Sequence, residues 1–276
     1  MTKVLTLAWN AWLEVLFRKV MILFVLFVLV MGAALYGLHR EVITRATEEE
    51  AATAAFAMTM MIEQGMSVWV NVLVILGAFL GSSSIAMEFR TRTALGVLAR
   101  PVHHWQFMLG KWLGLTAFLI MLLAIAAGCL ALLVAYYDTS IHPAFGEAYT
   151  PFVWMRLAEF VARLIVASGL GIALGCILSP VVAGALTLIV CFADPTLFIS
   201  GFDAEPRWLA VLNHLLYYAF LGRLPDEFFG QRVMQHYADA PLGFFASVIA
   251  ENLIYTVVVF VLCAILFTRR EGAARE

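Results

Sequence analysis

The chain has 276 residues, 63% of them hydrophobic and only 13% charged, with a formal net charge of −2 and a mean hydropathy of +0.94. Soluble domains carry about 25% charged residues, so this composition excludes a water-soluble fold of this size, and it excludes intrinsic disorder. With no dense basic stripe, the sequence also argues against a nucleic-acid binder. It reads as an all-α, polytopic integral membrane protein.

Residues 1–19 come first. Apolar positions recur there as Val4, Ala8, Ala11, Trp12, Val15 and Leu16 against Lys3, Asn10, Glu14 and Arg18. That spacing suits an amphipathic helix lying at a membrane interface, or a plain flank of the first span. A signal peptide is not expected: the polar lead is too long and no cleavage site follows.

A helix needs about 20 mostly apolar residues to cross the hydrocarbon core. The first such run is 20–38. Residues 39–65, acidic and Ala/Met-rich with Glu48, Glu49 and Glu50, read as helical extensions of the first two spans. The second span is 66–87, interrupted only by Asn71, and an inner loop follows over 88–111. The third span is 112–137. Residues 138–151 carry no Lys or Arg.

The uncharged stretch 164–193 is too long for one ordinary span, and Ser179-Pro180 stands in its middle. A residue before proline is pushed out of helical geometry. Two spans are therefore expected, at about 153–178 and 181–202, joined by a tight turn. The outer segment 203–243 is aromatic, as in Leu215-Leu216-Tyr217-Tyr218 and Phe228-Phe229, and should form short interfacial helices. The last span is 244–267. That makes six.

Lys and Arg accumulate in short cytoplasmic loops. With the N-terminus inside, Lys3, Arg18, Lys19, Arg90, Arg92, Arg100, Lys111, Arg269, Arg270 and Arg275 fall on the inner side, which is ten of the 17 basic residues. The outer segments hold Arg40, Arg45, Arg207, Arg223 and Arg232. Five spans would put Arg269-Arg270 outside, so six spans with both termini cytoplasmic fit better.

Catalytic motifs are absent, and no catalytic or metal-binding residue is expected. There is no HExxH helix and no GxSxG elbow. Gly81-Ser82-Ser83-Ser84 comes nearest, but small residues in a span usually serve close helix packing. Gly110-Lys111 is no Walker A loop: the glycine five positions earlier is missing and Trp112 follows. If ATP drives this protein, another subunit binds it. His39, His103, His104, His142, His214 and His236 make no i, i+4 pair, though a metal site built between loops stays open. Cys129, Cys176, Cys191 and Cys263 all lie in apolar runs and read as small hydrophobes.

Ionisable residues inside spans are functional candidates by default. Arg156, Glu159 and Arg163 share one helix face, where Glu159 can pair with either arginine. They form an outer interfacial anchor or touch a substrate. Asp194 and the Glu251-Asn252 pair stand towards the outer ends of their spans, lining a polar vestibule or reaching solvent.

The inner loop is the most informative segment. Glu88 leaves span two, Arg90 and Arg92 make a basic turn, and Thr93, Leu95 and Leu98 lie in a short helix that Arg100 and Pro101 close. Val102 follows, and Gly110-Lys111 stands where span three begins. A short helix along the membrane with apolar and basic residues suits docking of a soluble partner; a plain loop obeying the positive-inside rule fits as well.

On these residues the sequence resembles the permease subunits of ABC transporters of the type-two exporter family. Glu88, Thr93, Leu95, Leu98, Pro101, Val102, Gly110 and Lys111 match the family pattern, while Arg92 stands where glycine is common. Leu215-Leu216-Tyr217-Tyr218 with Leu224-Pro225 looks like the region after span five in some bacterial members. The resemblance implies a half-transporter in a bacterial inner membrane, paired with a second protomer as a homodimer. Two ATP-binding subunits would dock below and bind the ATP and magnesium; this chain would hold no cofactor. Residues 88–101 would be the coupling helix, Glu88 would fix its bend, and the N-terminal helix would lie alongside. The alternative is a scaffold or maturation subunit that uses ATPase strokes on an external partner without passing a solute. A polytopic membrane enzyme is a third reading, without a catalytic constellation to support it.

Overall fold

The computed structural model describes residues 2–16, 51–90, 104–140, 145–192, 207–219 and 241–273, with helical positions 22, 25, 26, 29, 32, 33, 36 and 37 between them. The regular structure among these residues is helical. We number the helices α1 (Thr2–Leu16), α2 (Ala51–Arg90), α3 (His104–Ser140), α4 (Phe145–Gly175), α5 (Pro180–Phe192), α6 (Arg207–Ala219) and α7 (Pro241–Ala273).

Two stretches, Gly65–Ile85 of 21 residues and Trp105–Cys129 of 25, are long and apolar enough to cross a bilayer. Phe160–Gly175, Pro180–Phe192 and Asn252–Ile265 are shorter apolar runs within their helices. Several helices outrun the expected spans. Helix α2 continues back through 51–65, whose Ala and Met residues favour the helix. Its 40 residues make it about 60 Å long, twice the hydrocarbon thickness. Helix α3 starts at His104 rather than near 112, because Phe107 and Met108 are buried in the core and hold that turn in place. The connection expected over 88–111 therefore narrows to 91–103.

The chain turns between Gly175 and Pro180. The amides of Ile177 and Leu178 both donate to the Leu174 carbonyl, at 3.0 and 2.8 Å, and so close the end of α4. Pro180 then opens α5, where its missing N–H costs nothing, and the Ser179 carbonyl accepts from Ala183 N–H at 2.9 Å.

Helix α4 is the hub, packed against α2, α3, α5 and α7. The core between α2, α3 and α4 holds Leu73, Phe118, Leu119, Leu122, Leu164 and Ile172, all under 2% exposed. Small residues let α2 and α4 touch backbone to backbone. A Cβ on Gly81 would lie 2.9 Å from the Ser168 carbonyl oxygen, and one on Gly171 would lie 2.7 Å from that of Ala78. Gly175 meets Ser82 in the same way, so Gly81 and Ser82 serve packing here. Several buried hydroxyls in the bundle are satisfied within it, while the buried Trp69 Nε1 finds no acceptor among the described residues. Ser84 donates to Gly81 O at 2.9 Å, Thr187 to Ala183 O at 2.8 Å, and Thr116 Oγ1 lies 2.8 Å from Ser168 Oγ. Such internal pairing is what a hydrocarbon surrounding demands.

The outward faces are apolar. On α7, Ile254, Val258, Val261 and Leu262 are each more than half exposed at helical spacing, and so are Val181 and Ile189 on α5, with Phe192 exposed beside them. Surfaces of this kind mark contact with lipid rather than water.

Candidate functional site

The frame of the inner loop is built first by α2. Glu88 and Arg90 occupy its last turn, at the mouth of the 91–103 connection. Arg92, Thr93, Leu95, Leu98, Arg100 and Pro101 lie outside the described residues. On the far side, Gly110 and Lys111 sit two turns inside α3, not at its first residue.

Helix α1 explains why glycine stands at 110. It lies along the first turns of α3, and a Cβ on Gly110 would come within 2.6 Å of Leu7 Cβ. A Cβ on Gly114, one turn on, would run into the Ala8 carbonyl oxygen and lie 2.8 Å from Ala11 Cβ. The amphipathic helix expected over 1–19 thus turns Ala11 and Val15 inward, both under 9% exposed. Leu5 and Trp9 face outward, the latter ring stacked on Trp12 at 5.2 Å between centroids.

Lys111 is buried, and its Nζ donates to Glu14 Oε2 at 2.7 Å. Taking an ammonium out of water is costly unless a carboxylate compensates it, and Glu14 supplies that charge from the last turn of α1. Sequence reasoning placed Lys111 among the candidate residues but missed Glu14, seen only as part of a polar face. The hint was that Glu14 is the one acid in α1. Ala11, Glu14, Val15, Leu80, Ser84, Lys111 and Leu115 line one small cavity where α1, α2 and α3 converge.

The intramembrane candidates belong to α4 and α7. Arg156 and Glu159 are helical positions on α4, and Arg163 is half-buried further along it. Asp194 lies outside the described residues. Glu251 is a helical position on α7, and Asn252, half-buried, accepts the Thr256 hydroxyl through its carbonyl at 2.8 Å.

The two helices run parallel. Gly169 of α4 meets Thr256 and Phe260 of α7, and seven residues further along each helix Cys176 stands within electrostatic range of Cys263. Arg163 stands within electrostatic range of Cys191 on α5. Trp112 of α3 closes the contact, donating from Nε1 to Ile165 O at 3.2 Å with its ring 5.3 Å from that of Phe260.

The chemistry available is that of packing and charge pairing. No cluster of three or more His, Cys, Asp or Glu residues that could hold a metal occurs among the described residues. The described cysteines are unpaired thiols, two of them buried. Residues 5–272 match the profile of a family described as ABC-2 family transporter protein. A search of curated proteins gives no match.

Proposed function

The chain belongs to the ABC-2 transporter family, and from that premise we propose that it is the six-span permease subunit of an ATP-driven exporter. As a transporter membrane component it performs no catalysis of its own. A separate ABC ATPase, in two copies, binds ATP and magnesium and docks on the inner loop. Two permease protomers pair in a bacterial inner membrane with both termini cytoplasmic.

The observation that carries this reading is the frame of the loop. Two long helices of the bundle core, α2 and α3, flank residues 91–103 directly, and Leu95 and Leu98 stand between basic residues there. A rigid pair of helices joined by such a segment passes a push on the segment straight into the membrane. Arg156, Glu159 and Arg163 then form a charge cluster on α4, with Asp194, Glu251 and Asn252 lining the outer vestibule.

Leu95→Glu with Leu98→Glu tests the docking face. Each change puts a carboxylate where an apolar side chain is to be buried against the ATPase, a loss of about 2–3 kcal/mol per site. A tagged double variant purified in mild detergent is expected to lose the ATPase that the wild-type chain retains. Unchanged co-purification would contradict the assignment of this loop.

A further inference from the structure

Helix α1 lies along α3, one of the two helices that flank the 91–103 connection, and meets α2 only across a small cavity. Gly110 and Gly114 let it settle onto α3. Its last turn brings Ala11, Glu14 and Val15 to the cavity that Leu80 and Ser84 of α2 share with Lys111 and Leu115 of α3. A displacement of α2 against α3 at this end changes the cavity that α1 shares with both. The contact that would resist it is the ion pair: the Lys111 side chain is 8% exposed and that of Glu14 39% exposed, at 2.7 Å.

A charge pair is not the cheapest way to pin two helices, since apolar residues of like volume fill such a place at equal or lower cost. What a pair offers is two states, closed or opened to water, and Glu14, already 39% exposed, can turn to solvent. Resting on the permease reading above, we infer that Glu14 and Lys111 are positioning residues that latch α1 to α3, so that a push on residues 91–103 moves α1, α2 and α3 together. Without the latch, α1 no longer moves with α3, and ATP hydrolysis, which depends on that joint movement, slows.

The test uses full-length Glu14→Lys, Lys111→Glu and the double charge swap, each purified in mild detergent with the ATPase that accompanies the wild-type chain. Three quantities are measured: ATPase retained, melting temperature, and ATP hydrolysis per assembled complex well below melting. The single variants are expected to retain the ATPase but to change its turnover by about five-fold or more, the low end of coupling between sites. The swap is expected to restore the wild-type rate. Where a charge reversal does not fold, Glu14→Gln takes its place with the same expected loss.

Single variants that assemble and hydrolyse ATP at the wild-type rate overturn the latch alone. A swap that recovers melting temperature but not turnover overturns it too, because a merely structural pin would behave that way. A wild-type chain that retains no ATPase contradicts the permease reading, and the latch with it.

Discussion

Glycine decides how close the helices of this bundle come. At Gly171 a Cβ would lie 2.7 Å from the Ala78 carbonyl oxygen and 3.2 Å from the Ser82 amide nitrogen, and backbone cannot swing aside as a side chain can. Gly171→Ala is therefore expected to cost about 1–3 kcal/mol through overpacking. Gly128, on α3, has nothing within 4 Å of where its Cβ would stand. There Ala gains the helix propensity that Gly forfeits, roughly 0.5–1 kcal/mol. Melting temperatures in detergent should fall for the first variant and hold or rise for the second. Equal shifts would contradict the backbone contact between α2 and α4.

At the scale of elements, a specific polar contact fixes the register of α4 against α3. Thr116 on α3 and Ser168 on α4 bring their hydroxyl oxygens to 2.8 Å, and Ser168 also donates to Leu164 O at 2.8 Å. Cysteines at these two positions, in a chain whose four native cysteines are replaced, are expected to form an intramolecular disulfide under mild oxidation. A pair that stays reduced, with the variant folded, would mean the two helices do not face each other in this register.

Some of this was legible from the residues and some was not, for physical reasons. The break between α4 and α5 shows in the sequence because proline acts locally, and it falls where Ser179-Pro180 stand. The inward-facing small residues of α2 announce packing but not the partner. Gly171 and Gly175 on α4 give the complementary surface, which only the fold identifies. The Glu14–Lys111 pair joins residues 97 apart, and no period or spacing connects them. Helix α3 begins ahead of the apolar run, because Phe107 and Met108 are already buried while hydropathy rises only after Lys111. Apolar count locates a span's middle; burial sets its ends.

As a whole, the molecule is an apolar helical bundle in which α1, α2 and the first turns of α3 converge on a half-buried charge pair. The proposed topology puts residues 91–103 and the α4–α5 turn on the cytoplasmic face and 138–151 outside. Single cysteines should report it in sealed cells with an impermeant thiol reagent. Position 147 is expected to label from outside and position 92 only after the membrane is opened. The reverse pattern would overturn the six-span arrangement.

The central claim is that this chain works as half of a membrane pair driven by ATPases on its inner face. Native mass spectrometry of the tagged wild-type chain, released from mild detergent, tests it most directly. The account predicts one species containing two copies of this chain and two of an ABC ATPase, which falls apart when Leu95 and Leu98 are charged. A chain that flies alone, or with a partner of another kind, would contradict it.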